Sequence, residues 1–399
     1  MFFNWRQNYF PRIVLIVSLI LFSHTRTVFA EDDILKFGMS TVLTGPAANL
    51  GINMRSGVLL AFLQANQQGG IKGRQLSLIS LDDGYEPSRT APNIYRLIQD
   101  DGVLGIIGNV GTPTAVVALP IIMEYKVLFY GAFTGAMRLR NDPPDRYVIN
   151  YRASYQEETE AIVDALIEYA GLKVDEFAFF TQRDAYGDSG YKGGIAALKK
   201  HGLTDQTSIT HGRYERNTTD VESALADILQ AKHPVKAVIM AGAYKPSAKF
   251  IRLAKQLGLT DVYFMNLSFV GTESLITELQ GEDNNVFIMQ VVPPLSSQLP
   301  IVEEYLDFVK QSAEHEKPSL GSLEGFISTK ILILALKRID GEINHESIVT
   351  AFEGLGDFDI GLGEKLNLSQ SNHQASHTVW PTAIENSQAV LYEWKKLKK

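Results

Sequence analysis

Three threonines in two small loops are the residues of this sequence best placed to bind a ligand. Thr112 and Thr114 follow an apolar segment in the stretch GNVGTPT, and Thr134 follows the next apolar segment in GAFTG. Glycine lets backbone N–H groups approach a ligand, and hydroxyls at a helix start add donors beside the positive end of the dipole. The pattern favours a carboxylate or another acceptor-rich group. The simpler alternative is that each hydroxyl only caps a turn or a helix.

No pattern of residues indicates an enzyme. The eight histidines are scattered without HExxH spacing, and there is neither a phosphate-binding P-loop nor a dinucleotide-binding glycine motif. Ser189 and Lys192 match the short motif S-x-x-K, but its companion motifs are absent. The chain has no cysteine, which excludes disulfides, thiolate metal sites and cysteine nucleophiles. We therefore predict no catalytic residue, no cofactor and no metal.

Asp82 and Asp83 form a carboxylate pair directly after a predicted strand. Adjacent residues of a strand point to opposite faces, so the two are poor partners for one metal ion. We expect one of them to cap the turn and the other to face a binding cleft.

The elements that position these loops alternate between strand and helix. Apolar segments of strand length are separated by amphipathic stretches, up to Gly131 and again over 157–266, with a turn-rich pause at 141–145. The first four predicted strands are Ile34–Ser40, Leu76–Leu81, Val103–Ile107 and Val127–Gly131. This order predicts two doubly wound α/β lobes with parallel sheets. Ligands of such sheets bind at the carboxyl ends of the strands, so two facing lobes form a cleft that a hinge can close.

The first thirty residues predict export. Arg6 and Arg12 precede the apolar run at 13–22, and Val28-Phe29-Ala30 is typical of a signal-peptide cleavage site. Because the run is short for a membrane span, a cleaved signal peptide at 1–30 is favoured over an anchor. Its removal takes three arginines and no acid from a net charge of −8, leaving −11. We predict a soluble periplasmic protein that does not bind nucleic acid.

Six short motifs, in the same order along the chain, make this sequence similar to a known family. They are Leu43–Pro46, Gln68–Arg74, Asp82-Asp83 with Pro87, the loop at 108–114, Ala185–Gly187 and Ala241–Pro246. The sequence resembles the leucine/isoleucine/valine-binding proteins, which have the type I periplasmic-binding-protein fold and serve ABC importers. The resemblance implies a chain that crosses between its lobes three times. The first lobe would comprise 31–151 plus 291–363, and the second 152–290 plus 364–399.

The resemblance also assigns roles to particular residues. Thr134 and Thr112, or Thr114 in its place, would hold a ligand carboxylate. Ala132 and Phe133 would offer backbone groups to the ligand. From the second lobe, the pocket tyrosines of the family correspond to Tyr186 and Tyr244.

One departure from the family changes the expected ligand. Ser268 stands where the family places an acid that pairs with the ligand ammonium. A buried ammonium without a carboxylate partner is costly. The resemblance therefore implies a pocket better suited to a carboxylate with an apolar body, an amide or another small metabolite. Asp83 or Tyr85 could still supply a partner for a cation, so an amino acid stays possible.

The expected function is that of a solute-binding protein. It would be a monomer that closes on a small organic ligand and delivers it to the membrane permease of an ABC importer. The alternative is a ligand-sensing periplasmic partner of a membrane receptor or kinase, because the same fold serves both roles. Neighbouring permease or kinase genes would separate the two.

Overall fold

A computed structural model of the chain describes residues 1–2, 34–311 and 317–397. The predicted signal peptide at 1–30 falls, apart from its first two residues, outside these described residues. Within the described ranges, no helix is long and apolar enough to cross a membrane.

The first lobe is built on a parallel sheet with the strand order β2-β1-β3-β4-β5. Its strands are β1 (Ile34–Thr41), β2 (Gln75–Asp82), β3 (Gly105–Ile107), β4 (Leu128–Tyr130) and β5 (Val148–Ile149). The first four lie within two residues of their predicted bounds. The central strands β3 and β4 are fully buried because helices cover both faces of the sheet.

The helices of the first lobe come from two separate parts of the chain. They are α1 (Ala48–Gln67), α2 (Pro87–Gln99), α3 (Thr112–Tyr125), α9 (Pro300–Gln311), α10 (Leu320–Lys337) and α11 (His345–Glu353). A small antiparallel pair, β11 (Gly356–Phe358) and β12 (Leu366–Leu368), also packs in this core.

The second lobe has a mixed sheet with the order β14-β13-β10-β9-β8-β6-β7. Strand β13 pairs antiparallel with both of its neighbours, β10 and β14, and the other pairs are parallel. Its strands are β6 (Phe177–Gln182), β7 (Thr210–Tyr214), β8 (Ala237–Ala241), β9 (Tyr263–Asn266), β10 (Val286–Gln290), β13 (Trp380–Glu385) and β14 (Gln388–Leu391). Its helices are α4 (Tyr155–Glu168), α5 (Ala185–Lys200), α6 (Glu222–Leu229), α7 (Tyr244–Gln256) and α8 (Thr272–Leu279). The predicted two-lobe α/β architecture is confirmed.

The chain crosses between the lobes three times. The first crossing joins β5 to α4, and the second joins β10 to α9. Leu366, Leu368 and Ala375 pack in the core of the first lobe, so the third crossing lies between Ala375 and Trp380. It therefore comes later than the expected boundary at 363–364, because the β11–β12 pair and the segment after it complete the first core.

Helices α1 and α10 approach each other closely enough for their backbones to touch. A Cβ atom at Gly57 of α1 would lie 1.8 Å from the carbonyl oxygen of Ser322, and one at Gly325 of α10 would lie 2.3 Å from that of Met54. Through this contact α10, which lies far from α1 along the chain, packs against the first lobe. The contact also brings the start of α10 to the cleft.

Replacing Gly57 with alanine is expected to lower the free energy of unfolding by about 3 kcal/mol, because the helices must separate to admit the methyl group. Urea unfolding measures the loss. Gly341→Ala is the matched control, since its Cβ would meet nothing within 4 Å, and we expect a change of at most about 0.5 kcal/mol. Equal stabilities of the two variants would contradict the close packing of α1 and α10.

Candidate ligand-binding site

Five aromatic side chains meet between the lobes, and we call them the interlobe aromatic cluster: Tyr85, Phe133, Tyr155, Tyr186 and Phe269. Tyr85 and Phe133 belong to the first lobe, and the ring of Phe269 reaches both from the second lobe, with centroids 5.8 and 5.5 Å away. Tyr186 lies 4.5 Å from Phe269 and 5.2 Å from Tyr155. All five are buried. Three predicted site residues, Tyr85, Phe133 and Tyr186, are thus brought together around the ring of Phe269.

Local sequence fixes two of the three second-lobe members of this cluster, Tyr155 and Tyr186. Ser154 and Glu157 form a capping box at the start of α4, which places Tyr155 in its first turn. The Asp184 carboxylate accepts a hydrogen bond from the backbone N–H of Tyr186 and caps α5. Two tyrosines therefore project from helix starts at the cleft.

Thr112 and Thr134 form a hydroxyl pair, with their Oγ1 atoms 2.7 Å apart. Thr134 also accepts from the backbone N–H of Ala136. Thr114 differs, because its hydroxyl lies 2.5 Å from the carbonyl oxygen of Val110 and 2.9 Å from that of Gly111, within its own loop. Of the two threonines left open by the sequence, the structure pairs Thr112 with Thr134.

Ala132 and Phe133 were expected to offer backbone groups to the ligand, but most of these groups already form hydrogen bonds within the protein. The carbonyl of Ala132 accepts from Thr134 N, at 2.7 Å. Phe133 donates its N–H to Asn109 and accepts from Gly111. Phe133 therefore faces the cleft with its ring rather than with its backbone.

A buried charged cluster lies beside the aromatic rings. The Arg152 guanidinium is 4.7 Å above the Phe133 ring and donates to the Ser268 hydroxyl. The Glu158 carboxylate accepts from Ser268 N at 2.7 Å and from Ser268 Oγ at 2.8 Å. Arg152 forms ion pairs with Glu158 at 3.8 Å and with Glu324 at 3.6 Å. Ser268, predicted to replace a family acid, is thus held by one acid, Glu158, and one base, Arg152, from other elements.

Burial dominates the electrostatics of this cluster. It raises the pKa of Glu158 and of Glu324 to about 7, although the Arg152 charge opposes the shift. Burial also lowers the pKa of Arg152, but the neighbouring anionic groups, Glu324 first, outweigh it and hold that pKa above its usual value. Removal from water raises the pKa of Tyr155 to about 12. The arginine stays charged, while the two carboxyls titrate near neutral pH.

Asp83 orients Tyr85 instead of facing the cleft. Its buried carboxylate accepts from Ser40 Oγ, Thr90 Oγ1 and the backbone N–H of Tyr85. Burial raises the pKa of Asp83. These three donors come from the first lobe, so Asp83 positions Tyr85 in its left-handed conformation (φ 62°). The expectation that one aspartate of the pair faces the cleft is not met by Asp83.

Asp82 has the capping role expected of the pair. It accepts from Leu43 N, Gly84 N and Thr44 Oγ1 and pairs with Arg89 at 2.8 Å. Its partial burial raises the pKa, but these hydrogen bonds outweigh it and lower the value to about 2.

A small cavity, the interlobe cavity, adjoins the aromatic cluster at Phe133. Residues of both lobes and of the second crossing line it: Leu50, Asn53, Phe133, Ser268, Gly271, Thr272, Glu273, Gln290, Val291, Val292, Leu320, Gly321 and Glu324. It has room for about one water-sized group.

Tyr244 lies apart from the threonine pair. It lines a groove at the mouth of the cleft together with Asn49, and a Cβ atom at Gly271 would lie 3.4 Å from its ring. Neither Tyr244 nor Thr134 lines the interlobe cavity. Their joint contact with one ligand stays a prediction.

The lobes are closed on each other. Gln182 Nε2 donates to the Tyr85 hydroxyl at 3.1 Å. At the cleft edge, Arg216 pairs with Glu86 at 2.8 Å, and Asn217 Nδ2 donates to the same carboxylate at 2.6 Å. These bonds join second-lobe residues to first-lobe residues and stabilise the closed arrangement.

Sequence reasoning missed five residues of this site: Arg152, Tyr155, Glu158, Phe269 and Glu324. Some signals were available in the sequence. Glu324 is the only acid in the apolar segment that forms α10, and Arg152 is a charge within a short apolar crossing. Phe269 follows Ser268 directly, but nothing local shows that its ring reaches the other lobe.

Comparisons with known proteins agree with this architecture. A family model described as "Periplasmic binding protein" matches residues 34–389. A leucine-, isoleucine-, valine-, threonine- and alanine-binding protein of Pseudomonas aeruginosa is 24% identical over 366 residues, which cover 91% of each chain.

Solved structures are also similar. The crystal structure of a possible leucine/isoleucine/valine-binding protein from Rhodopirellula baltica has a TM-score of 0.89 and 49% identity, covering 92% of this chain and 98% of that one. A branched-chain amino acid ABC transporter structure from Thermus thermophilus with bound valine has a TM-score of 0.78 and 17% identity, covering 90% and 95%. The second likeness shows the fold alone.

The family match spans both lobes and all three crossings. Its members are periplasmic proteins that bind small-molecule substrates and are not enzymes. This chain belongs to the periplasmic binding protein family.

Proposed function

We propose that this protein binds a small organic solute between its lobes and delivers it to the permease of an ABC importer. The solute is amino-acid-like or is a carboxylate or amide compound. Binding occurs in the periplasm after cleavage of the signal peptide at 1–30, and the protein acts as a monomer.

The observation that carries this proposal is a group of buried donors without partners in the cleft. Among the described residues, Nε and Nη1 of Arg152 and the hydroxyls of Tyr155 and Tyr186 have no hydrogen-bond partner. Buried polar groups in native proteins are nearly always paired. A bound solute with acceptor atoms would satisfy these donors. The names of the relatives, which bind branched-chain amino acids or serve ABC transporters, support the same role.

The direct test uses purified residues 31–399. Mass spectrometry identifies any ligand that co-purifies, and thermal shift and calorimetry measure rebinding after the ligand is removed. A saturable shift with a small metabolite supports the proposal. A folded protein that binds nothing would overturn it. Unchanged uptake of the identified ligand in cells that lack the gene would overturn the delivery step.

Replacing Thr134 with valine is expected to weaken binding of a carboxylate ligand by about 1–3 kcal/mol, because a donor of the hydroxyl pair is lost. Calorimetry with the co-purified ligand measures the change. Thr114→Val is the matched control, since that hydroxyl bonds within its own loop and should leave affinity unchanged. Unaltered affinity of the Thr134 variant would remove Thr134 from the site.

A further inference from the structure

The interlobe cavity has acidic groups and no basic group among the described residues that line it. Glu324 and Glu273 are its two carboxylates. Glu273 Oε1 accepts from the backbone N–H of Leu320 at 2.8 Å. Glu273 therefore serves to join the lobes, and Glu324 is the carboxylate left for another partner.

Glu324 is buried without a hydrogen bond in the described part of the chain. Its side chain is only 4% exposed, and its ion pair with Arg152 spans 3.6 Å from Nε to Oε1. That distance is longer than a hydrogen bond between charged groups. A carboxylate removed from water has lost its hydration without a comparable replacement.

Glu324 shares its ion-pair partner with a second carboxylate. Arg152 is the single guanidinium that forms ion pairs with both Glu158 and Glu324. Glu158 is also bonded twice by Ser268. With both carboxyls ionised, the ion-paired group of Arg152, Glu158 and Glu324 carries one excess negative charge. The charge of Arg140 also lowers the pKa of Glu324, but Arg140 forms no ion pair with it among the described residues. A cation in the adjacent cavity would pair with Glu324 directly.

The size and position of the cavity select the kind of cation. It holds about one water-sized group, which matches an ammonium group and not a guanidinium. Phe133 lines the cavity and also belongs to the interlobe aromatic cluster. A ligand with its nitrogen in the cavity would therefore lie next to the Phe133 ring.

We propose that Glu324 is the counter-ion for an ammonium group of the ligand. This inference rests on the solute-binding function proposed above. Glu324 comes from α10 in the first lobe, whereas Ser268 occupies the position where an acid was expected in the second. The protein thus accepts primary amines, including amino acids, through a carboxylate on the opposite wall of the cleft.

The test compares compounds that share a body and differ in their charged groups. One series is L-phenylalanine, 3-phenylpropanoate and 2-phenylethylamine, and the other is L-leucine, 4-methylpentanoate and 3-methylbutylamine. Calorimetry on ligand-free wild-type protein should show that loss of the amine weakens binding by at least about 30-fold. The co-purified compound should contain a basic nitrogen.

Two variants test whether Glu324 is the group that binds the amine. Glu324→Gln should weaken binding of the amine-bearing compound by at least about 30-fold. Glu303→Gln, an exposed position on α9, should leave it unchanged. The comparison of compounds on wild-type protein decides the question even if the Glu324 variant folds poorly.

Each adverse outcome has a distinct meaning. If the acid without an amine binds as tightly as the amino acid, or if the co-purified ligand has no basic nitrogen, Glu324 is not a counter-ion and solute binding still stands. A folded Glu324→Gln protein with wild-type affinity for amines leads to the same conclusion. If neither series nor any co-purified compound binds, both proposals fail.

Discussion

Replacing Arg152 with methionine is expected to lower the free energy of unfolding by about 3–5 kcal/mol at pH 8. The guanidinium is fully buried and forms ion pairs with two buried carboxylates, Glu158 and Glu324. Methionine has a similar length but supplies no charge, so both carboxylates would remain in the protein interior without their ion-pair partner. Urea unfolding of the ligand-free protein measures the loss.

The loss of stability caused by Arg152→Met should depend on pH. The direction of this dependence follows from the raised pKa values of Glu158 and Glu324. Burial raises the pKa of Glu158 and Glu324 to about 7 from the ordinary 4.5. The stabilisation that comes from protonating them in the folded state is fully present below pH 4.5 and is lost as the pH rises through about 7. At pH 5 both carboxyls are mostly neutral in the folded protein. The deficit of the variant should therefore fall by at least half between pH 8 and pH 5.

Arg138→Met is the control for this experiment. Arg138 pairs with Asp145 at 3.3 Å, and its side chain is 55% exposed. Exposed pairs contribute little, so a loss below about 1 kcal/mol is expected at pH 8. An Arg152 variant as stable as wild type at pH 8, or equally destabilised at both pH values, would contradict the buried charged cluster.

Replacing Phe269 with alanine is expected to destabilise the closed form by about 3 kcal/mol relative to the open form. The ring contacts Tyr85 and Phe133 of the first lobe as well as Tyr186 of its own lobe. Without this ring, the closed form contains a void between the lobes. The void disappears when the lobes separate, so the substitution favours the open form. Because the chain has no cysteine, spin labels on cysteines introduced at residues 88 and 220 report the distance across the cleft mouth.

The ligand-free variant should show a longer distance between the labels than the wild type. Phe179→Ala is the matched control, since Phe179 is fully buried on β6 within the second lobe. It should lower the free energy of unfolding by about 3 kcal/mol and leave the distance unchanged. If Phe269→Ala lowers stability in the same way without opening the cleft, the ring stabilises its own lobe and not the closed form.

Local sequence patterns were enough to predict the first four strands and the small loops at the edge of their sheet. Apolar strands and amphipathic helices have different periods, so β1 to β4 lie within two residues of their predicted bounds. The loops that carry Thr112 and Thr134 were placed correctly at the ends of the neighbouring parallel strands β3 and β4, but the pairing of these two hydroxyls, and not that of Thr114, came from the structure.

Other predictions from local spacing were less successful. Thr114 and Asp83 were candidates for ligand contact, yet their side chains bond within the first lobe. Turn residues and site residues share the same polar side chains, and only coordinates show whether a donor is already engaged. For this reason Asp83 positions Tyr85, a residue that does reach the other lobe.

The sequence by itself determined the alternating elements, the export signal prediction and the resemblance to a binding-protein family, because each depends on residues close together in the chain. Only the tertiary structure decided which side chains meet at the cleft. Arg152, Phe269 and Glu324 come from a crossing, a loop and a distant helix. No periodicity links such positions, since their proximity results from how α10 packs on α1 and how the two lobes close.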